Sequence, residues 1–154
     1  MGKSSRQRIV IASEHEGFGL KEQLCGDLRQ DFDVFEAGAL SSDPVDYPSI
    51  AVEATERVVR GEFDVGILIC GTGIGMSMAA GKVQGARAAL CTNEFMAQMS
   101  RRHNDANILC LGAWVTGTRL SLAIVRSFLQ GEFEAGRHAR RVQQIDSLGL
   151  EHSR

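Results

Sequence analysis

Short apolar runs alternate with amphipathic segments along this chain of 154 residues. Five of the runs show little alternation between polar and apolar positions, which is typical of strands covered on both faces of a parallel sheet. They predict strands over residues 8–12, 32–37, 65–70, 87–91 and 107–111.

The segments between these runs carry apolar residues three and four positions apart, which is the spacing of one helix face. Pro48 suits the first turn of a helix, Asn93 suits an N-cap, and Thr116 or Thr118 can open the fifth helix. The predicted helices cover residues 18–28, 48–60, 74–82, 93–102, 116 or 118 to at least 128, and 137–148, the last with an apolar stripe of Val142, Ile145 and Leu148.

The order of these predicted elements is βαβαβαβαβαα. Such alternation implies right-handed crossovers, and it predicts a Rossmann-like three-layer α/β/α sandwich around a five-stranded parallel sheet. The length of the chain fits a single domain over residues 1–154. We expect frayed tails at residues 1–7 and 150–154.

The overall composition limits the classes of partner. Lys and Arg number 17 and Asp and Glu number 19, and the resulting net charge of −2 argues against a nucleic-acid partner. No apolar run approaches the ~20 residues that a membrane helix needs, so we expect no membrane association. No apolar stretch follows the polar start of the chain, and we therefore expect no secretory signal and a cytoplasmic location.

The four cysteines are Cys25, Cys70, Cys91 and Cys110. They lie too far apart for the C-x-x-C pairs of zinc and redox sites, so we expect free thiols in a reducing compartment. Cys91 and Cys110 lie in apolar runs and are expected to be core residues. No spacing of His, Asp and Glu requires a metal site.

Ligands of an open parallel sheet bind beyond the carboxyl ends of its strands. Glu14 and His15 follow the first predicted strand, Tyr47 lies in the loop after the second, and Gly71-Thr72-Gly73-Ile74-Gly75 follows the third. We therefore expect these residues to meet on one rim of the sheet.

The glycine-rich segment lets the backbone approach a ligand, and the helix that follows it favours an anion. It matches neither the dinucleotide motif, since Met76 stands where a glycine is needed, nor the P-loop, since Val83 follows Lys82. A tight turn required only for packing is an equal alternative. Cys70 directly precedes the segment, where a helix N-terminus favours the thiolate form, although a core cysteine is the simpler interpretation.

Two polar clusters lie further along the chain. Arg137 and Arg141 share a helix face, and with His138 and Arg140 they are expected to form a cationic patch that suits a phosphate. The alternative is a solvated helix face. The segment 101–105, which contains His103 and Asn104, precedes the fifth strand. Its cations also have a purely structural interpretation, because a helix C-terminus favours positive charge.

Together these segments resemble the type B ribose-5-phosphate isomerases, whose superfamily includes galactose-6-phosphate isomerase subunits and allose-6-phosphate isomerases. The resemblance extends over about residues 8–148. It is carried by Glu14-His15 with Gly17-Phe18, by Asp46-Tyr47-Pro48, by residues 70–75 and 100–107, and by Gly136-Arg137-His138.

The resemblance implies a cofactor-free aldose–ketose isomerase of a small-molecule sugar phosphate, working as a homodimer or a dimer of dimers with active sites shared between chains. It implies that Cys70 is the base between C1 and C2, that Thr72 moves protons at the oxygens, and that His103 opens the sugar ring. The backbone of the glycine segment would cradle the enediolate. The substrate contacts that it implies are Glu14, His15, Tyr47, Gly71, Gly73, Ile74, Gly75, Asn104, Arg137 and Arg141, among which His15 and the two arginines hold the phosphate.

Two positions depart from the pattern of these isomerases. Glu14 stands where aspartate is usual, and Trp114 stands where an arginine is frequent. The leading interpretation is interconversion of ribose 5-phosphate and ribulose 5-phosphate. The alternatives are an isomerase of another phosphosugar, such as a tetrose 4-phosphate, allose 6-phosphate or galactose 6-phosphate, and a phosphosugar-binding module without catalysis.

Overall fold

A computed structural model of the chain describes residues 6–150. The expected fraying of residues 1–5 and 151–154 lies outside the described residues. Gln7, which we expected in the N-terminal tail, accepts a hydrogen bond from the Asp33 N–H through its carbonyl at 3.0 Å. The ordered fold therefore begins before the first strand.

The secondary structure follows the predicted order of strands and helices. The strands are β1 Arg8–Ser13, β2 Asp33–Gly38, β3 Val65–Cys70, β4 Ala88–Leu90 and β5 Ile108–Gly112. The α-helices are α1 Phe18–Leu28, α2 Tyr47–Val59, α3 Ile74–Ala80, α4 Glu94–Asn104, α5 Thr118–Gln130 and α6 Arg137–Ser147. The predicted bounds of α1 are correct at both ends, whereas the 3-10 helix His15–Gly17 was not predicted.

The strands form one parallel sheet in the order β2-β1-β3-β5-β4. Ile9 and Ile11 of β1 pack on one face of this sheet with side chains of α1, α4 and α5. Val10 and Ala12 pack on the other face with side chains of α2 and α3. Helices thus cover both faces, and the predicted three-layer α/β/α sandwich is confirmed.

The three central strands are buried along their length except at Arg8, the first residue of β1. Every residue of β3 and β5 is buried, whereas β2 and β4 lie at the sheet edges and contain no fully buried residue. The prediction that all five strands are covered on both faces is therefore wrong for β2 and β4. The apolar character of a run depends only on its own residues, so it does not show which strand will lie at an edge of the sheet.

The predicted apolar stripe of α6 is also only partly correct. Val142 is buried at 6% exposure, but Ile145 is 44% exposed and Leu148, just beyond the helix, is 71% exposed. Within residues 6–150, the end of α6 therefore leaves apolar surface in contact with solvent.

Lys21 fixes the path of the chain as it leaves β2. Its side chain is almost completely buried, and its ammonium donates to the carbonyl of Ala37 at 3.0 Å and to that of Ala39 at 2.6 Å. Burial lowers the pKa of Lys21. Because α1 is thereby tied to the exit of β2, the loop that leads to Tyr47 starts from a fixed point.

None of the helices within the described residues has the length and apolar character required to span a membrane.

Two glycines provide a matched test of the fold. Gly38 has a φ of +78°, and a Cβ at this position would lie 2.3 Å from the Ser13 carbonyl oxygen, whereas a Cβ on Gly26 in α1 would meet no described atom within 4 Å. We expect Gly38→Ala to lower the free energy of unfolding by at least about 2 kcal/mol, because left-handed alanine is strained and Ser13 must also move. Gly26→Ala should raise it by about 0.5–1 kcal/mol. Urea unfolding followed by circular dichroism measures both, and equal stability of the two variants would contradict this assignment.

Candidate functional site

A cleft of 510 Å³ lies at the carboxyl edge of the sheet. We call it the carboxyl-edge cleft. Its lining residues come from the segments that follow β1, β2, β3 and β5, and the volume is within the range of small-molecule sites. They are Glu14, His15, Glu16, Tyr47, Cys70, Gly71, Thr72, Ile74, Gly75, Met78 and Trp114. The structure thus brings together eight of the residues that the sequence singled out, and Gly73 lies in the same turn.

The glycines of the segment 71–75 permit close packing of the cleft walls. A Cβ on Gly71 would lie 2.8 Å from the ring of Trp114, and a Cβ on Gly75 would lie 2.6 Å from the ring of Tyr47. Gly73 has a φ of +80°, and a Cβ there would lie 2.9 Å from the backbone of Leu111. These glycines are therefore required for packing, and this requirement is compatible with a role in ligand binding.

Two backbone N–H groups of this turn face side chains of the cleft. The Gly73 N–H donates to Cys70 Sγ at 3.1 Å, and the Ile74 N–H donates to Thr72 Oγ1 at 3.3 Å. Cys70 is 6% exposed at the end of β3. The sulfur thus lies at the N-terminus of α3 and accepts a hydrogen bond from a backbone donor.

His15 lies between two carboxylates. Its Nδ1 is 3.0 Å from Glu14 Oε2, and its Nε2 is 3.6 Å from Glu16 Oε1. Glu14 is buried and also accepts the Gly17 N–H at 3.0 Å, which caps the 3-10 helix. The Val45 N–H approaches the same His15 Nδ1 at 3.2 Å. Nδ1 accepts that bond when it carries no proton and donates to Glu14 when it does.

Trp114 closes one side of the cleft. Its ring lies against Gly71, its indole N–H donates to Glu16 Oε2 at 3.3 Å, and its side chain is largely exposed. Its backbone N–H donates to the Gly71 carbonyl at 2.9 Å. The residue that replaces the expected arginine therefore contributes an aromatic wall and no positive charge.

His103 and Asn104 lie at the opposite edge of the sheet. They end α4, which begins after β4 at the carboxyl edge and leads to the start of β5 at the amino edge. A strand of six residues is about 20 Å long, so these side chains cannot reach the carboxyl-edge cleft of the same chain. Asn104 lines a separate cavity together with Arg87 and Ile145.

We call Arg102, His103, Glu134 and His138 the amino-edge cluster. The Glu134 N–H donates to the Arg102 carbonyl at 3.0 Å, and the rings of His103 and His138 are stacked with centroids 4.1 Å apart. His138 is buried at 7% exposure. Burial lowers its pKa, and the neighbouring His103 and Arg137 lower it further.

The buried position of His138 corrects the expected cationic patch. His138 packs inward on His103, so only the arginines of α6 present positive charge to solvent. Arg137 and Arg141 are exposed, and among residues 6–150 neither forms an ion pair. These two cations, one helix turn apart, are free to meet an anion.

Three side chains of the amino-edge cluster could in principle hold a metal ion. His103, Glu134 and His138 place ligand atoms within 4.8 Å of one another, and zinc accepts this donor set. However, the two rings are parallel to within 9°, so their nitrogen lone pairs lie side by side and do not converge. This stacked geometry does not favour the binding of one metal ion by both rings.

Sequence reasoning missed Met78 and Glu134, whereas Glu16 belongs to the same segment after β1 as Glu14 and His15, which was expected at this rim. Glu16 and Met78 line the cleft, and Glu134 contacts both histidines of the amino-edge cluster. Met78 lies one helix turn beyond Ile74, which is a signal that could have placed it on the cleft side of α3. Glu134 lies in an irregular segment, where the sequence carries no such periodicity.

The comparisons with known proteins all indicate the same family. The sequence profile of the Ribose/Galactose Isomerase family matches residues 9–145. Ribose-5-phosphate isomerase B of Escherichia coli K12 is 41% identical over 143 residues, which cover 92% of this chain and 96% of that protein. The solved structure of Clostridium thermocellum ribose-5-phosphate isomerase B has a TM-score of 0.93 at 47% identity, covering 96% of this chain and 100% of that one. The Thermotoga maritima ribose 5-phosphate isomerase has a TM-score of 0.90 at 43% identity, covering 92% and 99%.

Reactivity of the four thiols tests the environment of Cys70. Burial raises the pKa of Cys25 to about 12 and that of Cys91 to about 11, and it also raises the pKa of Cys110. These three thiols therefore stay protonated at pH 8, and we expect iodoacetamide to modify Cys70 first. Timed labelling with peptide mass spectrometry measures the order. Cys70→Ser is the control and should remain unlabelled over the same period, and labelling of Cys25 or Cys91 as fast as Cys70 would contradict the expectation.

Proposed function

This chain belongs to the ribose/galactose isomerase family, and we propose that it interconverts ribose 5-phosphate and ribulose 5-phosphate without a cofactor. The observation that carries the proposal is the position of Cys70 in a cleft of 510 Å³, with its sulfur facing the Gly73 N–H and Thr72 beside it. Isomerisation of an aldose needs a base at carbon and stabilisation of the resulting oxyanion. The carboxyl-edge cleft offers both.

In the proposed mechanism, the Cys70 thiolate removes the proton from C2 of the open-chain aldose. The C–H bonding pair forms the C1=C2 bond of an enediolate, and negative charge develops on O1. Thr72 passes a proton between O2 and O1, and Cys70 returns its proton to C1 to give the ketose. Backbone N–H groups at the start of α3 stabilise the enediolate, as a helix N-terminus stabilises other anions.

Other lining residues bind the sugar. Tyr47 and Ile74 form the wall along its carbon chain, and the backbone at Gly71, Gly73 and Gly75 lies against its reacting end. Glu14 contacts a ring or hydroxyl oxygen. Because Glu14 already bonds the Gly17 N–H and lies beside His15, its carboxylate is held in one orientation.

The phosphate requires more positive charge than one cleft provides. Among the described residues that line the cleft, His15 is the one that can carry positive charge, and it lies between the carboxylates of Glu14 and Glu16. A sugar phosphate carries close to two negative charges near neutral pH. We therefore assign phosphate binding to His15 together with Arg137 and Arg141 of a second copy of the chain.

The active site is accordingly proposed to be shared between two chains, in a homodimer or a dimer of dimers. Cys70 and His103 lie at opposite edges of one sheet, so one chain cannot place both on a sugar that is only a few ångströms long. A second copy would bring His103 to open the ring, Asn104 to bind a hydroxyl, and the two arginines to the phosphate. Since charged sugar phosphates do not cross membranes unaided, a cytoplasmic location is part of this proposal.

Trp114 favours a second candidate, isomerisation of a shorter phosphosugar such as a tetrose 4-phosphate. Its ring narrows the cleft beside Gly71, and it offers no cation to a phosphate. A bulky wall of this kind would favour a shorter sugar. Turnover of substrates of different length separates the two candidates.

Turnover by the wild type and by Cys70→Ala tests the proposed function. We expect the wild type to give its highest kcat/KM with ribose 5-phosphate among erythrose 4-phosphate, ribose 5-phosphate, allose 6-phosphate and galactose 6-phosphate. Cys70→Ala should lower kcat at least about 100-fold, because it removes the carbon base. Cys91→Ala is the control, which should change the melting temperature more than kcat. Near-normal turnover by Cys70→Ala would refute the assignment, and a preference for erythrose 4-phosphate would select the second candidate.

Mixed oligomers test the shared site. A Cys70→Ala chain and an Arg137→Ala/Arg141→Ala chain should each be nearly inactive alone, but a heterodimer contains one complete site. Random pairing of equal amounts makes half of the dimers mixed, so we expect about one quarter of wild-type activity. Co-expression with two affinity tags allows the mixed species to be purified and assayed.

The matched control places all three substitutions in one chain and pairs it with the Cys70→Ala chain. This combination contains no intact Cys70 and should stay inactive. If the wild type is active but the purified mixed species is not, then Cys70 and the two arginines must serve the same site from one chain.

A further inference from the structure

Glu134 is held between one arginine and two histidines. Arg102 donates to Glu134 Oε1 through Nε at 2.5 Å, and the Glu134 N–H bonds the Arg102 carbonyl. Its other carboxylate oxygen, Oε2, lies 3.7 Å from His103 Nε2 and 4.0 Å from His138 Nε2. The residues that follow, Ala135 and Gly136, have φ values of +54° and +51°, and they turn the chain into α6. The carboxylate is thus fixed by Arg102 and directed at both imidazoles.

We propose that Glu134 and His138 are positioning residues for His103, in which Glu134 holds a proton on the His103 ring and the stacked His138 ring fixes its plane. The proposal rests on the proposed function, in which His103 opens the sugar ring. Ring opening breaks the C1–O4 bond, removes a proton from O1 and adds one to O4. It therefore needs a group of defined orientation that exchanges a proton near neutral pH.

The stacked geometry and the unequal burial of the two rings distinguish His103 from His138. Two imidazolium rings 4.1 Å apart would repel each other strongly, so the pair holds at most one positive charge near neutral pH. Burial disfavours the charged form of His138, and His103 is the more exposed of the two. Of the two rings, His103 is therefore the one placed to exchange a proton with a substrate.

The other charges near the stack make Glu134 necessary. Arg102 of α4 and Arg137 and Arg141 of α6 are the cations beside these rings, and Glu134 is the carboxylate that contacts them among residues 6–150. In addition to burial, Arg137 and Arg141 lower the pKa of His138, and Glu134 raises it. Because Arg102 occupies Oε1, the negative charge at Oε2 remains available to the imidazoles.

The protonation of His103 in Glu134→Gln tests the proposal directly. Glutamine keeps the shape of the side chain and an oxygen acceptor for Arg102, but it removes the negative charge. We expect the ratio of imidazolium to imidazole at His103, read from its ring ¹⁵N signals at fixed pH, to fall about tenfold. Glu132→Gln is the matched control, since Glu132 is an exposed carboxylate in the same connection. An unchanged ratio in Glu134→Gln, or an equal fall in the control, would overturn the role of Glu134.

Activity separates positioning from a general structural role. Deuterium entry at C1 of ribulose 5-phosphate needs Cys70 but no ring opening, whereas conversion of ribose 5-phosphate needs both. We expect Glu134→Gln to lower the conversion at least about tenfold and to leave deuterium entry within about twofold of the wild type. The alkaline limb of the pH–rate profile for conversion should move to lower pH. Equal losses of conversion and deuterium entry, or no loss of either, would overturn the proposal.

Two substitutions of His138 test the stack. His138→Phe keeps a flat ring against His103, whereas His138→Ala removes it. We expect His138→Phe to retain at least fivefold more ribose 5-phosphate conversion than His138→Ala, with comparable melting temperatures. Equal conversion by the two variants would overturn the stacking role. Failure of the wild type to convert ribose 5-phosphate would instead refute the proposed function, and the ¹⁵N measurement on Glu134→Gln would still decide whether Glu134 holds the proton.

Discussion

Each crossover helix of a parallel sheet must carry the chain from the carboxyl edge back to the amino edge, and this constraint decides at which edge a candidate site residue lies. Residues that follow strands meet in the carboxyl-edge cleft, as Cys70 and His15 do. A residue that ends a crossover helix lies at the other edge, as His103 does at the end of α4. Two segments that both carry candidate site residues can therefore lie at opposite edges of one folded chain.

Packing explains why the turn after β3 is so rich in glycine. Gly71, Gly73 and Gly75 admit the Trp114 ring, the Leu111 backbone and the Tyr47 ring at distances that a side chain would block. This close packing sets the shape of the cleft before any substrate binds. The Gly73 N–H is directed at Cys70 Sγ as part of the same turn. One short segment thus builds the wall of the cleft and the electrostatic environment of its thiol, which is why its packing and binding interpretations are not alternatives.

The sequence was informative where a residue's role depends on its own segment. Apolar residues three and four positions apart predicted α1 at both ends. Asn93 was predicted as the N-cap of α4, and its bond from the Met96 N–H confirms this. The residues after β1 and β3 were expected at one rim, where the structure places them. It was not informative where the role depends on a partner distant along the chain. The partial exposure of β2 and β4 depends on sheet order. The burial of His138 depends on His103, 35 positions earlier, and the contacts of Glu134 depend on a turn without periodicity.

The two edges of the sheet are electrostatically complementary. The carboxyl-edge cleft holds His15 between Glu14 and Glu16, and Trp114 adds no cation, so the carboxylates of a single cleft repel a dianionic phosphate. Arg137 and Arg141 are exposed on α6 without ion pairs among residues 6–150. Juxtaposition of the two edges from different copies would pair these charges and would supply the cations that the phosphate needs. Substrate binding and assembly would then be thermodynamically linked. A ligand that binds only where the two edges meet stabilises the association of the chains, and association strengthens ligand binding by the same free energy.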